Sequence, residues 1–165
     1  MTMTQRLQSK TSQRGVAAVE FAIMLSFVLV PLTFGITELG RATYQYNTMT
    51  KGVRDAARYL STVTPDTQVL AAQCVAITGL LANNGSACSN PVLVPGLTLS
   101  NVDVCDRVRC FNSCNLVPVV VSGVSRGTVN LVKVTISRQP FVPLVGLGIS
   151  SFTFGPISAT FAVKS

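Results

Sequence analysis

Histidine and tryptophan are both missing from this sequence, and charge of either sign is scarce. Without histidine the chain lacks the commonest general base and the commonest metal ligand, which leaves little room for acid–base or metal chemistry. Charged residues make up 12% of the chain and hydrophobic residues 48%, against about 25% charged in ordinary soluble domains. Part of such a chain is expected in lipid or against partners. Acid is scarcest toward the end: no Asp or Glu follows Asp106, whereas Arg107, Arg109, Arg126, Lys133, Arg138 and Lys164 do. A net charge of +7 is compatible with nucleic acid or anionic lipid, but these cations are scattered, with no basic cluster and no interleaved aromatics. A thinly charged solvated face is the simpler reading, and nucleic acid is not expected as a partner.

The residues that could do covalent chemistry are equally isolated. A nucleophile needs an activating base, and apart from Asp103 and Asp106 the carboxylates stand alone in sequence. Cys114 beside Asn115 has no base partner. Gly123-Val124-Ser125 lacks the closing glycine of a nucleophile elbow, and Gly146-Leu147-Gly148 lacks the third glycine of a dinucleotide loop. No enzymatic activity and no cofactor are expected.

What is present begins at the N-terminus. Residues 1–14 are polar, rich in Thr, Ser and Gln, and contain Arg6, Lys10 and Arg14 but no acid; they read as a disordered basic lead. From Gly15 the character changes abruptly, and residues 21–37, between Glu20 and Glu38, carry no charge. Counted from Val16 the apolar stretch is long enough to span a bilayer, near the lower limit of about 17–25 residues. Pro31 lies inside it, where a membrane helix is expected to kink rather than end. No small-x-small cleavage site and no cysteine follow the run at 34–43, and there is no twin arginine, so neither a cleaved secretory signal nor a lipoprotein site is expected. Beyond it, apolar residues at 46, 49, 53, 56 and 60 keep helical spacing while Lys51, Arg54, Asp55 and Arg58 fall mostly elsewhere. One helix over 16–61 that leaves the bilayer and becomes amphipathic is the expectation.

Three motifs in this stretch go together: Gly15-Val16-Ala17-Ala18-Val19-Glu20-Phe21-Ala22, then Glu38-Leu39-Gly40-Arg41, then Asp55-Ala56-Ala57-Arg58-Tyr59. As a set they resemble the TadE-like proteins of the Tad (tight adherence) pilus system, over about residues 15–60. The resemblance implies a minor pilin or pseudopilin, cut by a prepilin peptidase between Gly15 and Val16. A side-chain-free glycine would let the backbone enter the peptidase. Glu20 would then lie one turn past the new N-terminus, in an apolar stretch where a lone carboxylate is costly. In pilins it is thought to pair with the N-terminal amine of a neighbouring subunit, so Glu20 and Phe21 are assigned to subunit assembly. The bland alternative is an interfacial glutamate on an ordinary anchor helix. The implied partners are the peptidase, other pilins and minor pilins, the inner-membrane Tad machinery and membrane lipid, with a surface or glycan as adhesion target. The implied location is the bacterial inner membrane, single-pass, N-terminus cytoplasmic and C-terminal domain periplasmic, or extracellular once assembled. Basic residues flank the span on both sides, so charge counting does not settle orientation.

The five cysteines, Cys74, Cys88, Cys105, Cys110 and Cys114, all lie past the apolar run, where an oxidising compartment favours disulfides. Their pairing is not readable, and the odd count leaves one thiol free or paired between chains. Four thiolates on zinc are the alternative, but paired CxxC knuckles are missing. Thr64-Pro65-Asp66 reads as a helix start, with Val69, Ala72, Ala76 and Leu80 continuing helically to Asn83-Asn84-Gly85. Strands are expected at 92–99, 117–121 and 129–136, and a closing hairpin of 152–154 with 158–163 around Gly155-Pro156. Residues 139–163 carry no charge. Their prolines, glycines and hydroxyls argue against a second span, and the apolar loop Phe141–Ile149 is expected to pack on a neighbour or lie at the membrane surface.

The expected fold is α+β and pilin-like: a long transmembrane and amphipathic helix packed against a small antiparallel sheet. The divisions are a basic leader over 1–15, the helix over 16–61 and an extracytoplasmic domain over 62–165. Two other functions remain open: a pilus-tip or membrane-anchored adhesin, which an exposed basic face would favour, and an unrelated single-pass periplasmic metal or redox module.

Overall fold

From Thr11 to Leu60 the backbone runs as one α-helix, α1. The structure, a computed structural model, describes residues 11–81, 88, 90–110, 114, 117–145 and 150–163. The leader residues 1–10, the expected helix end at Asn83-Asn84-Gly85 and the end of the apolar loop at 146–149 lie outside the described residues. The helix begins upstream of Val16, so Gly15 and Val16 are both inside it. It continues through Pro31, and hydroxyl side chains near the proline bond back to the preceding turns: Ser26 donates to the Ala22 carbonyl at 2.8 Å and Thr33 to the Val30 carbonyl at 2.9 Å. Such back-bonds satisfy the hydroxyls inside an apolar run without any external partner.

The two ends of α1 differ in what they touch. Its apolar N-terminal half contains the one helix window, among the described residues, long and apolar enough to cross a membrane, and none of that window is buried. Its C-terminal half buries Ala42, Met49, Val53, Ala56, Ala57 and Leu60 along one face. Against that face lies α2 (Val69–Thr78), a short apolar helix. The crossing is close because Gly52 faces it: a Cβ there would stand 2.4 Å from the Ala76 carbonyl oxygen. Gly79 ends α2 in the left-handed conformation (φ 75°), its N–H donating to Val75 at 2.9 Å.

The expected start of this second helix at Thr64 is corrected. Asp66 has φ 65°, which a right-handed helix cannot include; residues 64–67 form a turn, and α2 begins only at Val69. Long-range partners hold that turn: the Asp66 N–H donates to Asp106 and its carboxylate accepts from Arg109.

The sheet is three-stranded and antiparallel, in the order β1 (Val102–Cys105), β4 (Leu131–Ile136), β7 (Ile157–Ala162). The central strand alternates: Val132, Val134 and Ile136 face the helices, and Leu131, Lys133 and Thr135 face away. Its register joins Val102 to Ile136 on one side and Ile136 to Ile157 on the other. The core forms between this face and the helices, with Val94, Leu97 and Val102 closing its side; each such side chain contributes about 1.5–3 kcal/mol by leaving water. This is the expected α+β architecture, a long apolar N-terminal helix plus a small antiparallel sheet domain.

Two small ladders stand outside this sheet. Strands β2 (Val117–Val121) and β3 (Val124–Val129) form a hairpin, closed by Ser122 and Gly123, both at positive φ (53° and 80°), as a two-residue turn matching strand twist requires. Strands β5 (Pro140-Phe141) and β6 (Phe152-Thr153) pair beside the middle of α1. Two further expectations are corrected. Residues 92–99 form no strand: Pro91 and Pro95 lack donors and Gly96 turns at φ 80°, so this segment plugs the core with Val94 and Leu97. Residues 152–154 and 158–163 do not pair with each other: β6 takes β5 and β7 takes β4, and Gly155-Pro156 carries the chain between the two ladders.

Candidate anchor and assembly site

The residues proposed for processing and assembly sit on the bare half of α1. Val16 and Glu20 are four apart, hence on one helix face, with Gly15 just before and Phe21 beside them. All are exposed. Glu20 has no hydrogen bond or ion pair among the described residues, and a Cβ added to Gly15 would meet nothing within 4 Å. Glu20 and Glu38 are separated by about 27 Å at 1.5 Å rise per residue, close to the ~30 Å hydrocarbon thickness of a bilayer. The two glutamates bracket the uncharged apolar run.

At its far edge the Glu38-Leu39-Gly40-Arg41 motif has a role that the sequence did not disclose. Glu38 is 5% exposed. Its Oε1 accepts the backbone N–H groups of Leu144 at 2.8 Å and Val145 at 3.3 Å. Arg41, one turn on, stands 3.3 Å from the other Glu38 oxygen, donates to the Val142 carbonyl and lies 4.8 Å above the Phe141 ring centroid. A neighbouring aromatic cluster supports this clamp: Phe141 meets Phe152 at 5.0 Å and Phe154 at 6.0 Å, and Tyr46 of α1 meets Phe154 at 6.2 Å. The motif therefore fastens a loop from the end of the chain to the helix where the helix turns from lipid-like exposure to burial. The one available signal was the pairing of a charge-poor C-terminal region with two charges flanking the apolar run, and it named no residue pair.

The cysteines lie at the opposite end of the head. Cys74 of α2 is bonded to Cys88, and Cys105 at the end of β1 to Cys110; Cys114 is free and buried. The short Cys105–Cys110 loop is organised by Asp106, whose Oδ1 accepts from the N–H groups of Val108 and Arg109 and whose Oδ2 accepts from Asp66. Burial alone would push the Asp106 carboxyl up, but these three hydrogen bonds and the nearby Arg109 charge outweigh it and hold the carboxyl below its usual range. Burial pushes the Cys114 thiol up; Lys133 offsets part of this and Asp106 adds to it.

One helix, its N-terminal part long and apolar enough to cross a membrane and unburied over that window, thus continues into a small disulfide-bonded α+β head. The family model described as TadE-like protein matches residues 15–58, the stretch whose three motifs carry the resemblance, so that the likeness covers the helix and not the head. No curated protein and no solved structure gave a significant match.

Proposed function

We propose that the chain is a minor pilin or pseudopilin of a Tad-type, type IVb-like pilus used in surface adhesion, with no catalysis of its own. A prepilin peptidase cuts after Gly15, and the helix from Val16 waits in the inner membrane with its head in the periplasm. It then joins the helices of other pilins, Glu20 pairing with a neighbour's N-terminal amine. The observation that carries this reading is the coincidence of the TadE-like match with a helix half whose apolar window is left unburied by the described residues. Such a surface is complete only in lipid or among other helices. Because α1 runs from Thr11, the bond to be cut lies in helical backbone. Glycine, about 1 kcal/mol worse than alanine in a helix, eases its local unwinding.

The test is the N-terminal residue of membrane-extracted protein, with and without a co-expressed prepilin peptidase. The expected outcome is a peptidase-dependent start at Val16 that is lost in Gly15→Ala. Since that substitution meets no neighbour, loss of cutting would report on the peptidase and not on misfolding. A start unaffected by the peptidase removes the processing claim.

A further inference from the structure

We infer that the loop held by Glu38 and Arg41 is a second membrane contact. The side chains of Val142 and Leu144, with Leu39 of α1, enter the interfacial layer of the same bilayer that α1 crosses and seat the head on the lipid surface. The inference rests on the reading of α1 as a membrane span and adds to it a site and an occupant. It begins with exposure: Leu144 is 79% exposed, Leu39 68% and Val142 65%, large apolar side chains at one level of the molecule. That level is fixed by Glu38, the first charged residue past the uncharged run 21–37, so the patch is continuous with the span.

The loop's backbone supplies the second argument. Irregular backbone near hydrocarbon is tolerated only where protein satisfies its polar groups. Here the N–H groups of Leu144 and Val145 go to Glu38, the Val142 carbonyl goes to Arg41, and Pro143 has no N–H to satisfy. Over Val142–Val145 the chain thus leaves the side chains of Val142 and Leu144 outward while three of its backbone polar groups turn to α1. No charge occurs within residues 139–163 to oppose entry. About two turns past Glu38 along α1, Tyr44 and Tyr46 are both exposed, the residue type that collects at the headgroup level.

The sequence contains no tryptophan, so a single introduced indole is an unambiguous reporter. The full chain carrying Leu144→Trp is reconstituted in phosphatidylcholine vesicles brominated either near the headgroup or near the chain terminus. Phe27→Trp, mid-span, and Val124→Trp, on the exposed hairpin, are made as parallel reporters. The expected result is blue-shifted emission from Leu144→Trp with loss of intensity in the shallow-brominated lipid, deep quenching of Phe27→Trp, and no quenching of Val124→Trp. The last reporter separates true placement from the attraction of indole for interfaces. Unquenched, water-like emission from Leu144→Trp alongside a quenched Phe27→Trp would overturn the inference and leave the anchor standing. Blue-shifted but unquenched emission would also overturn it, because the loop would then be covered by protein, such as a second copy. An unquenched Phe27→Trp would remove the span and the inference together.

Discussion

The two halves of α1 share one backbone geometry and have opposite surroundings. Between Gly15 and Thr37 the helix is predominantly apolar and none of the described residues buries it; between Glu38 and Leu60 it carries polar residues and buries one face against α2 and the sheet. Helix formation is thus not what distinguishes them. The first half has its solvent supplied from outside, by lipid or by other helices, and the second has it supplied by its own chain. The boundary is a pair of charges, Glu38 and Arg41, which would be expensive in hydrocarbon and instead become the fastening point for the head.

The sharpest way to break that comparison uses the same substitution in both halves. Met49 is fully buried and Met24 is exposed. Met49→Ala is expected to destabilise the head by about 2–5 kcal/mol, the usual cost of a core truncation. Met24→Ala should change it by no more than ~0.5 kcal/mol, as substitutions outside a packed core do. Urea unfolding of the detergent-solubilised protein, followed on the head, measures both. Equal shifts would mean that the bare half packs against its own chain after all.

Legibility in the sequence follows the same boundary. The apolar run, the amphipathic continuation and the three motifs are local patterns, and the structure returns them as one helix. The placement of β4 was largely legible from the β-branched run 129–136, although the structure gives Val129 to β3 and begins β4 at Leu131. What the pattern could not deliver were pairings decided by distant residues. Asp66 looks like a helix-starting acid until Asp106 and Arg109, some forty positions on, draw it into a left-handed turn. Phe152–Phe154 and Ser158–Val163 look like a hairpin until β4 and β5 each take one of them. The Glu38 clamp belongs to this second kind, joining residues more than a hundred positions apart. The cysteine pairs do too, for spacing alone did not select Cys74–Cys88 and Cys105–Cys110 or leave Cys114 aside.

The clamp offers a test of intermediate size. Glu38→Ala would strip two N–H groups of their acceptor and leave the Arg41 guanidinium without its carboxylate. The expected cost is about 1–3 kcal/mol, concentrated in the loop, because the core beyond Ala42 does not depend on Glu38. Hydrogen exchange resolves this: the Leu144 and Val145 amides should exchange faster, those of β4 should not, and Glu38→Gln should restore most of the protection by keeping a carbonyl acceptor. Unchanged exchange at both amides would show that the clamp holds nothing.

At the far end of the head, Asp106 gives the smallest effect, one tied to pH. Its carboxyl lies below the usual range because Val108, Arg109 and Asp66 donate to the ionised form. A group whose folded pKa is depressed adds stability above its unfolded value, about 3.9 for an aspartate. That stability is lost as pH falls through the folded value. The head should therefore lose stability in moderately acid solution below that point, and Asp106→Asn should flatten this part of the profile while retaining an acceptor. Urea midpoints measured across the acid range for the parent and Asp106→Asn decide the matter, and parallel curves would show that the loop is held by its disulfide and not by the carboxylate inside it.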